Sequence, residues 1–200
     1  MKPVKKYKIA RRLGAHVFEK TQTEKFAASV ARRKRPTKRP KPLSGYAEQM
    51  YEKQRIKFAY ALLEKQFATY VKKSMESKKE LPTAALGTIL ESRLDSIVYR
   101  LGFAPTKRMA RQMVSHGHFC VNGVKSTVAS TMIKIGDTVS VREGSKKSTL
   151  FADIANRIKD YSVPSYLSFN VDTLTATLKG KPVLMDSAFD FNKVIEFYSR

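Results

Sequence analysis

Residues 104–125 read APTKRMARQMVSHGHFCVNGVK, and this stretch decides the fold. Thr106 belongs to the residue types that cap helices, and the spacing after it predicts a helix with one apolar face and one basic and polar face. Phe119 to Val121 predict a strand, and Asn122-Gly123 is the pair that favours a tight type I′ turn. The stretch therefore predicts a short basic helix followed by a β-hairpin.

The rest of the chain predicts helices interrupted by short strands. Apolar residues at three- and four-residue steps predict helices over 46–79 and about 83–101. Further expected elements are a strand after Gly136-Asp137, a helix over 149–160, two strands joined by a turn near Asp172, and a final short helix. The expected fold class is α+β, with a basic, largely extended N-terminal arm (1–45), a helical domain (46–90, joined by 187–200), and a helix-helix-β-hairpin module within a small antiparallel sheet packed on helices (91–186).

Basic charge is the strongest compositional signal. The 200 residues include 39 Lys and Arg against 17 Asp and Glu, a net charge of +22. Residues 1–41 hold 15 of the cations and 2 of the acids, whereas residues 151–200 hold 6 of each. So large an excess favours a polyanionic partner. Nucleic acid is favoured over a membrane, because no stretch joins basic charge to a long apolar helical face and no apolar run is long enough to span a bilayer.

The first 45 residues are interpreted as an arm that folds onto RNA phosphates. The stretch RRKRPTKRPKPLSG (32–45) contains three prolines, which break helices, and its dense like charge resists collapse. The alternative is a solvated, disordered tail. We favour the arm, since neutralisation by phosphates offsets the entropy lost on ordering. A short helix within residues 8–26 is expected once the arm is bound.

Two histidines and the single cysteine lie within five positions of the stretch SHGHFCVNG (115–123). A zinc site needs three or four ligands, but the remaining histidine, His16, lies in the arm and no carboxylate is near in the sequence. A nucleophilic cysteine needs a base held by an orienting group, which nothing in the sequence suggests. We therefore expect no metal, no cofactor and no catalytic residue. Cys120 is interpreted as a small core residue and His116 as a phosphate or base contact.

A family resemblance rests on residues 93–123, RLDSIVYRLGFAPTKRMARQMVSHGHFCVNG, together with GDTVSV (136–141). They closely resemble the small RNA-binding fold named after small-subunit ribosomal protein four, which tyrosyl-tRNA synthetases, pseudouridine synthases and a heat-shock ribosome-binding protein also carry. The stretches LSGYAEQMYEKQRIKFAYALLEKQF (43–67), VPSYLSFN (163–170) and VIEFYSR (194–200) resemble the bacterial-type ribosomal protein itself. Some members have a cysteine zinc knuckle near the N-terminus. This chain lacks those cysteines, so the resemblance implies an arm ordered by rRNA alone.

The resemblance implies a structural constituent of the small ribosomal subunit. Such a protein binds small-subunit rRNA at a multi-helix junction of the 5′ domain and helps to nucleate assembly of the subunit body. The resemblance also implies contacts with ribosomal proteins three and five and with mRNA where it enters the subunit, and an influence on translational accuracy. The implied location is the cytoplasmic ribosome, and the basic N-terminus leaves an organellar ribosome as an alternative.

The candidate RNA contacts are basic and polar residues of the arm, the helical domain, the basic helix and the hairpin. They are Arg11, Arg12, Arg32, Arg33, Lys34, Arg35, Lys53, Arg55, Lys57, Arg93, Thr106, Lys107, Arg108, Arg111, Gln112, His116, Asn122, Gly123 and Lys125. Such side chains suit a folded rRNA junction, which is recognised by shape and phosphates rather than by base edges. Arg93 and Asp95 have a second interpretation as an ion pair, and Arg108 and Arg111 as a solvated helix face.

Three other functions compete with this one. An RNA-modifying enzyme is disfavoured because only about 60 residues follow the module, too few for a catalytic domain, so we expect no enzyme. A non-ribosomal RNA chaperone is disfavoured by the helical domain that precedes the module. A DNA-binding role lacks a recognition helix with base-reading side chains.

Overall fold

The computed structural model describes residues 5–32, 42–78, 80–152, 154, 161–184 and 188–199. The chain divides into two compact units, residues 1–83 with 186–200, and residues 84–185. The fold is α+β, as expected, with ten α-helices and one five-stranded antiparallel sheet among the described residues. None of the helices described combines the length and the apolar composition that a membrane span requires.

The first unit is helical. Along the chain it contains α1 (Lys6–Leu13), two 3-10 turns (Ala15–Val17 and Glu19–Thr21), α2 (Glu24–Ala31), α3 (Gly45–Ala59), α4 (Glu64–Glu76) and α10 (Phe191–Tyr198). The Ser44 hydroxyl caps α3 by accepting a hydrogen bond from the Ala47 amide at 3.3 Å. The sequence predicted one helix over 46–79, but the chain breaks after α3, where Ala61 adopts a φ of 51°. Neither Gly nor Pro marks that break in the sequence.

The C-terminal helix α10 packs on α3 and α4. Val194 is fully buried. The rings of Tyr46 and Phe197 lie 5.6 Å apart, and those of Phe67 and Tyr198 lie 6.3 Å apart. Helix α10 therefore shares a core with residues 45–76.

The N-terminal segment differs from the extended arm that the sequence predicted. Residues 5–32 fold around a small apolar core. This core consists of Ala10, Leu13, Val17, Phe18 and Phe26, with Tyr51 and Phe58 of α3 packed against it. The Thr21 hydroxyl donates to the carbonyls of Ala15 at 2.7 Å and Phe18 at 2.8 Å. The apolar residues recur at helical steps and bury one another despite the surrounding charge.

The second unit contains the sheet. It comprises most of α5 (Pro82–Glu91), then α6 (Leu94–Arg100), α7 (Lys107–Ser115), β1 (Phe119–Val121), β2 (Val124–Ser126), β3 (Thr138–Val141), α8 (Glu143–Lys146), α9 (Thr149–Ala152), β4 (Leu167–Asn170) and β5 (Thr175–Leu178). The strand order is β2-β1-β3-β5-β4, and every neighbouring pair is antiparallel. Val121 lies opposite Val124, the register that a two-residue turn at Asn122-Gly123 predicts.

Two predicted helices of this unit have different bounds. The helix expected over about 83–101 is two helices, because Arg93 is extended and its backbone forms an isolated bridge with Met132. The helix expected over 149–160 is described only at its start, where Phe151 and Ile154 are buried. Leu150 is 36% exposed, and residues 155–160 lie outside the described chain.

The core of the second unit is centred on Phe103. Its ring meets the edges of Phe119, Phe169 and Phe151, with centroids 5.3, 5.4 and 6.2 Å away. The inner faces of α6 and α7 contribute to the same cluster. This packing fixes α7 against the sheet, so its outer face and the β1–β2 hairpin form a rigid platform.

Candidate nucleic-acid interface

Helix α7 presents a basic face to solvent. The Thr106 hydroxyl accepts a hydrogen bond from the Met109 amide at 3.1 Å, so Thr106 caps the helix. The buried face consists of Ala110, Met113 and Val114. On the other face Arg108 and Arg111 are partly exposed and Gln112 is exposed. The structure therefore brings these three predicted contacts together on one side of one helix.

Two predicted RNA contacts are buried instead. The Arg93 side chain is fully buried, and its guanidinium binds the Asp95 carboxylate through Nε at 2.9 Å and Nη2 at 2.5 Å. Arg93 and Asp95 therefore form the ion pair of the second interpretation, and the Arg93 side chain is not on the surface. Lys107 is only 9% exposed, and its Nζ lies 5.5 Å from the centroid of the Tyr99 ring.

Asp95 connects the buried ion pair to the exposed face of α7. One carboxylate oxygen, Oδ1, also accepts a hydrogen bond from the Ser96 amide at 3.0 Å. The other oxygen, Oδ2, lies 4.0 Å from Nε of Arg111, whose side chain is 25% exposed. The buried Asp95 carboxylate thus orients the Arg111 guanidinium, part of which faces solvent.

Asn122 locks the tip of the β1–β2 hairpin. Its side-chain NH₂ donates to Oδ1 of Asp137 at 2.8 Å, and its carbonyl oxygen accepts from the Thr138 amide at 2.8 Å. This hydrogen bond from Asn122, and a second one from the Lys134 amide, lower the pKa of the Asp137 carboxyl. Because the Asn122 side chain is occupied within the protein, the tip offers a ligand the exposed backbone of Gly123, which has a φ of 81° and no side chain.

Lys125 joins the hairpin to the end of α7. Gly117 has a φ of 74°, and a Cβ at this position would collide with Cε of Lys125. The Lys125 stem therefore crosses directly over Gly117, and the residue itself is exposed. The basic face of α7 and the hairpin form one continuous surface.

The paired histidines lie where α7 meets β1. The rings of His116 and His118 are stacked with centroids 6.1 Å apart, and Nδ1 of His118 is 3.0 Å from the Ser145 hydroxyl. Burial, and then the charges of His116 and Arg142, lower the pKa of His118. His116 is exposed and Cys120 is half-buried. Throughout the described chain, no group of three or more His, Cys, Asp and Glu side chains is arranged to hold a metal ion.

The first unit carries its own basic surface. Arg11, Arg12 and Arg32 are exposed, as expected for ligand contacts. Arg11 donates to the Ser29 hydroxyl at 3.1 Å, and the Arg12 guanidinium lies 5.3 Å from the centroid of the Tyr51 ring. The remaining predicted contacts of the arm lie outside the described residues: Arg33, Lys34 and Arg35.

One basic groove of this unit was missed in the sequence. It is lined by Lys5, Lys6, Tyr7, Lys8 and Lys20. No acid is among these lining residues. The run KKYK was a local signal, but Lys20 joins it only through the fold of the apolar core that places the 3-10 turns beside α1.

Three predicted contacts of α3 are engaged within the protein. Glu64 accepts hydrogen bonds from Lys53 and Lys57, both at 2.7 Å, and Arg55 pairs with Glu52. Burial alone would raise the pKa of the Glu64 carboxyl, but the two lysines outweigh it and lower the pKa to about 2. These cations were predicted as phosphate contacts. The ion pairs of Lys53 and Lys57 join α3 to α4, whereas the pair of Arg55 lies within α3.

Comparison with known proteins identifies the family. The model of the ribosomal protein S4/S9 N-terminal domain matches residues 3–91, and that of the S4 domain matches residues 92–139. The small ribosomal subunit protein uS4 of Fusobacterium nucleatum is 42% identical over 176 residues, which cover 86% of this chain and 87% of the relative. Those of Polaromonas naphthalenivorans and Syntrophomonas wolfei are each 35% identical over 201 residues, covering 98% and 95% of this chain and 97% and 94% of the relatives. The chain belongs to the uS4 family.

Membership of the uS4 family makes this chain a small ribosomal subunit protein. The S4 domain match begins at residue 92, includes α6, α7, β1 and β2, and ends within β3. The exposed basic face of α7 and the hairpin thus belong to that domain. The basic groove around Tyr7 belongs to the N-terminal match. The relatives are ribosomal proteins, which implies that this member of the uS4 family is not an enzyme.

Proposed function

We infer that the chain is a primary binder of small-subunit rRNA that recognises a multi-helix junction of the 5′ domain. The observation that carries this inference is the continuous basic surface of α7 and the β1–β2 hairpin. Arg108 and Arg111 lie on the open face of a helix that is fixed against the sheet, and Lys125 borders its last turn. A rigid array of cations suits a folded RNA, whose phosphates have fixed spacing.

The same surface favours recognition of RNA by shape. The deep, narrow major groove of an RNA helix excludes side chains, so contacts go to phosphates, sugars and exposed loops. The Gly123 backbone at the hairpin tip allows close approach of a sugar-phosphate chain, because its position carries no side chain. The Asn122 side chain, in contrast, holds the tip in place through its hydrogen bonds to Asp137 and Thr138.

The first unit supplies a second phosphate contact. The four lysines around Tyr7 lie on a segment that folds on its own apolar core, so binding there costs less ordering entropy than a disordered arm would require. A protein that engages RNA through two units holds separate RNA helices in one arrangement. This is the property that nucleation of subunit body assembly requires.

We further propose contacts with ribosomal proteins three and five, with mRNA where it enters the subunit, and an influence of the contact with protein five on translational accuracy. Residues 151–200 support protein contacts, because they hold 6 cations and 6 acids in a chain of net charge +22. The bacterial relatives support a location in the cytoplasmic ribosome.

Competition binding tests the proposed recognition. The purified chain would be titrated with a 5′-domain small-subunit rRNA transcript, with tRNA and with duplex DNA, each over a range of salt concentrations. We expect the transcript to bind about a thousandfold more tightly than the other two, a gap typical of specific over non-specific recognition. Equal affinities that fall together with salt would show that the charge acts only generically, and would favour an RNA chaperone instead.

A further inference from the structure

A cationic corner lies where α7 meets β1, beside the basic face of α7. The rings of His116 and His118 stack there with centroids 6.1 Å apart. Gly117 separates the two histidines in the chain, and the stem of Lys125 from β2 crosses directly over it. The sequence did not predict His118 as an RNA contact. Two imidazole rings and one ammonium group thus converge on this corner.

The His118 ring is surrounded by cations and neutral groups. Arg142 follows β3 and donates its backbone amide to the His118 carbonyl at 2.9 Å, and its charge acts on the ring. Helix α8 contributes the Ser145 hydroxyl, and α9 contributes the Phe151 ring, whose centroid is 5.9 Å from that of His118. Cys120, two positions along β1, is the other titratable side chain on this side of the strand.

Acids do not neutralise this corner within the part of the chain that the structure describes. Glu143 of α8 binds Lys146 of the same helix at 2.6 Å. Across the described residues, no carboxylate forms an ion pair with His116, Lys125 or Arg142. All three of these side chains are exposed. The corner therefore presents uncompensated positive charge to an approaching anion.

Nε2 of His118 is the atom that is open to such an anion. Nδ1 lies 3.0 Å from the hydroxyl of Ser145, a residue only 3% exposed, and this contact fixes the ring. Nε2 has no hydrogen-bond partner among the described residues, and it is not buried. A protonated imidazole donates from both nitrogens, so Nε2 then offers an anion an N–H group together with a positive charge.

An anion at the corner changes the proton affinity of His118. Burial and the charges of His116 and Arg142 lower its pKa in the free chain. A phosphate within about 4–6 Å of the ring opposes those charges and favours the protonated form, so the pKa is higher in the complex. Binding then draws a proton from solvent. Because linkage is reciprocal, binding of the phosphate strengthens as the pH falls from the pKa of the complex toward that of the free chain.

We propose that the corner formed by His116, His118 and Lys125 is a phosphate site for rRNA, in which His118 takes up a proton from solvent as the phosphate binds. The affinity for rRNA therefore rises as the pH falls through the range in which histidine titrates. The inference rests on the proposed function, because rRNA supplies the phosphate. It adds that proton uptake at one half-buried ring adjusts the strength of that binding.

The pH dependence of binding tests the proposal. The affinity of the full chain for the 5′-domain transcript would be measured at about pH 7.5 and about pH 6, at fixed salt. We expect binding about fivefold tighter at the lower pH, within the limit of about tenfold per pH unit that uptake of one proton sets. His118→Asn should remove most of that gain, whereas His16→Asn, in the first unit, should retain it. Every variant meets the same transcript, so titration of the RNA itself contributes equally to all of them.

Calorimetry in two buffers of different ionisation enthalpy measures the protons taken up per complex. We expect net uptake for the wild type, for His16→Asn and for His116→Asn, and a much smaller uptake for His118→Asn. His118→Gln keeps a side-chain donor and acceptor within reach of Ser145, so it is a second neutral variant and should behave like His118→Asn.

No uptake by the wild type would overturn the proposal. So would uptake that persists in both neutral variants of His118, or that disappears in His116→Asn and not in them. The ratio of the affinities for the transcript and for tRNA at about pH 7.5 reports the proposed rRNA recognition by itself. Failure of the proton linkage is therefore distinguishable from failure of that recognition.

Discussion

The side-chain amide of Asn122 donates a hydrogen bond to the carboxylate of Asp137, 15 positions away, at 2.8 Å. The bond ties the turn of the β1–β2 hairpin to the turn that precedes β3. The sequence alone suggested that Asn122 and the Gly136-Asp137 pair were two separate turn signals. In the structure they form one network, and this network holds the hairpin tip against the turn that precedes β3.

Substitution of Asn122 separates the effect of its hydrogen bonds from that of its backbone. Asn122→Gly keeps the positive φ of 49° accessible but removes the side-chain bonds, so we expect a loss of about 1 kcal/mol in the free energy of unfolding. Asn122→Ala adds a side chain disfavoured at that φ and should lose about 1 kcal/mol more. Urea unfolding followed by circular dichroism measures the free energy of unfolding of both variants. Equal stability of the wild type and Asn122→Gly would show that the side-chain hydrogen bonds of Asn122 do not stabilise the fold.

Breaking the buried Arg93–Asp95 pair should be costly. Arg93→Ala removes the bidentate partner of the nearly inaccessible Asp95 carboxylate and leaves Arg111 4.0 Å away, so we expect a loss of about 3 kcal/mol in the free energy of unfolding. Arg93→Lys keeps the charge but loses the bidentate geometry. Its free energy of unfolding should lie between those of the wild type and of Arg93→Ala. If Arg93→Ala folded as stably as the wild type and bound rRNA more weakly, Arg93 would be an RNA contact after all.

The Glu64 carboxylate should stabilise the first unit in a pH-dependent way. Its pKa lies at about 2, below the ordinary 4.5, so its ion pairs contribute fully above pH 4.5 and are lost as the pH falls toward 2. Because Glu64 is partly exposed, we expect Glu64→Gln to be less stable at pH 6 by about 1 kcal/mol, with the difference vanishing near pH 2. Glu76→Gln, at the exposed end of α4, is the control and should show no such trend. A constant Glu64→Gln difference from pH 6 to pH 2 would refute the ion-pair assignment.

The N-terminal core should be folded without RNA or metal. Amide hydrogens of α1 should be protected from exchange in the free chain, and a chelator should leave that protection unchanged. Phe26→Ala removes a ring 5.4 Å from Tyr7, and we expect a loss of about 3 kcal/mol that abolishes protection in α1 but not in α7. Val30→Ala, at a position 45% exposed, is the control. If the amide hydrogens of α1 exchanged at the rate of an unfolded chain until rRNA was added, the extended N-terminal arm expected from the sequence would be supported instead.

The sequence predicted the elements whose signals are local. The Thr106 cap, the strand at 119–121 and the Asn122-Gly123 turn are each specified by a few adjacent residues, and the structure contains all three. The breaks after α3 and before α6 were missed. The second depends on a backbone bridge from Arg93 to Met132, a contact 39 positions away that no local pattern reveals.

The predicted site residues differ in outcome for an electrostatic reason. Composition identifies cations but not their intramolecular partners, so Lys53 and Lys57 were predicted as phosphate contacts although Glu64 binds both. Dense charge in residues 1–45 likewise concealed an apolar core whose members are spaced widely along the chain. Arg108 and Arg111 were placed correctly on one outer face, because helical spacing alone determines which residues oppose the apolar face of α7.

The most direct test of the central claim compares two double variants that remove the same charge. Arg108→Ala with Arg111→Ala changes the α7 surface, whereas Lys72→Ala with Lys73→Ala removes two exposed cations from α4. The measurement is affinity for the 5′-domain rRNA transcript relative to tRNA, at fixed salt. We predict that the arginine pair lowers this ratio about a hundredfold and that the lysine pair changes it by less than about threefold, since hydrogen bonds to charged groups at fixed positions contribute about 1.5–3 kcal/mol each. Equal effects of the two variants would contradict the account, because net charge and not the α7 surface would then govern binding.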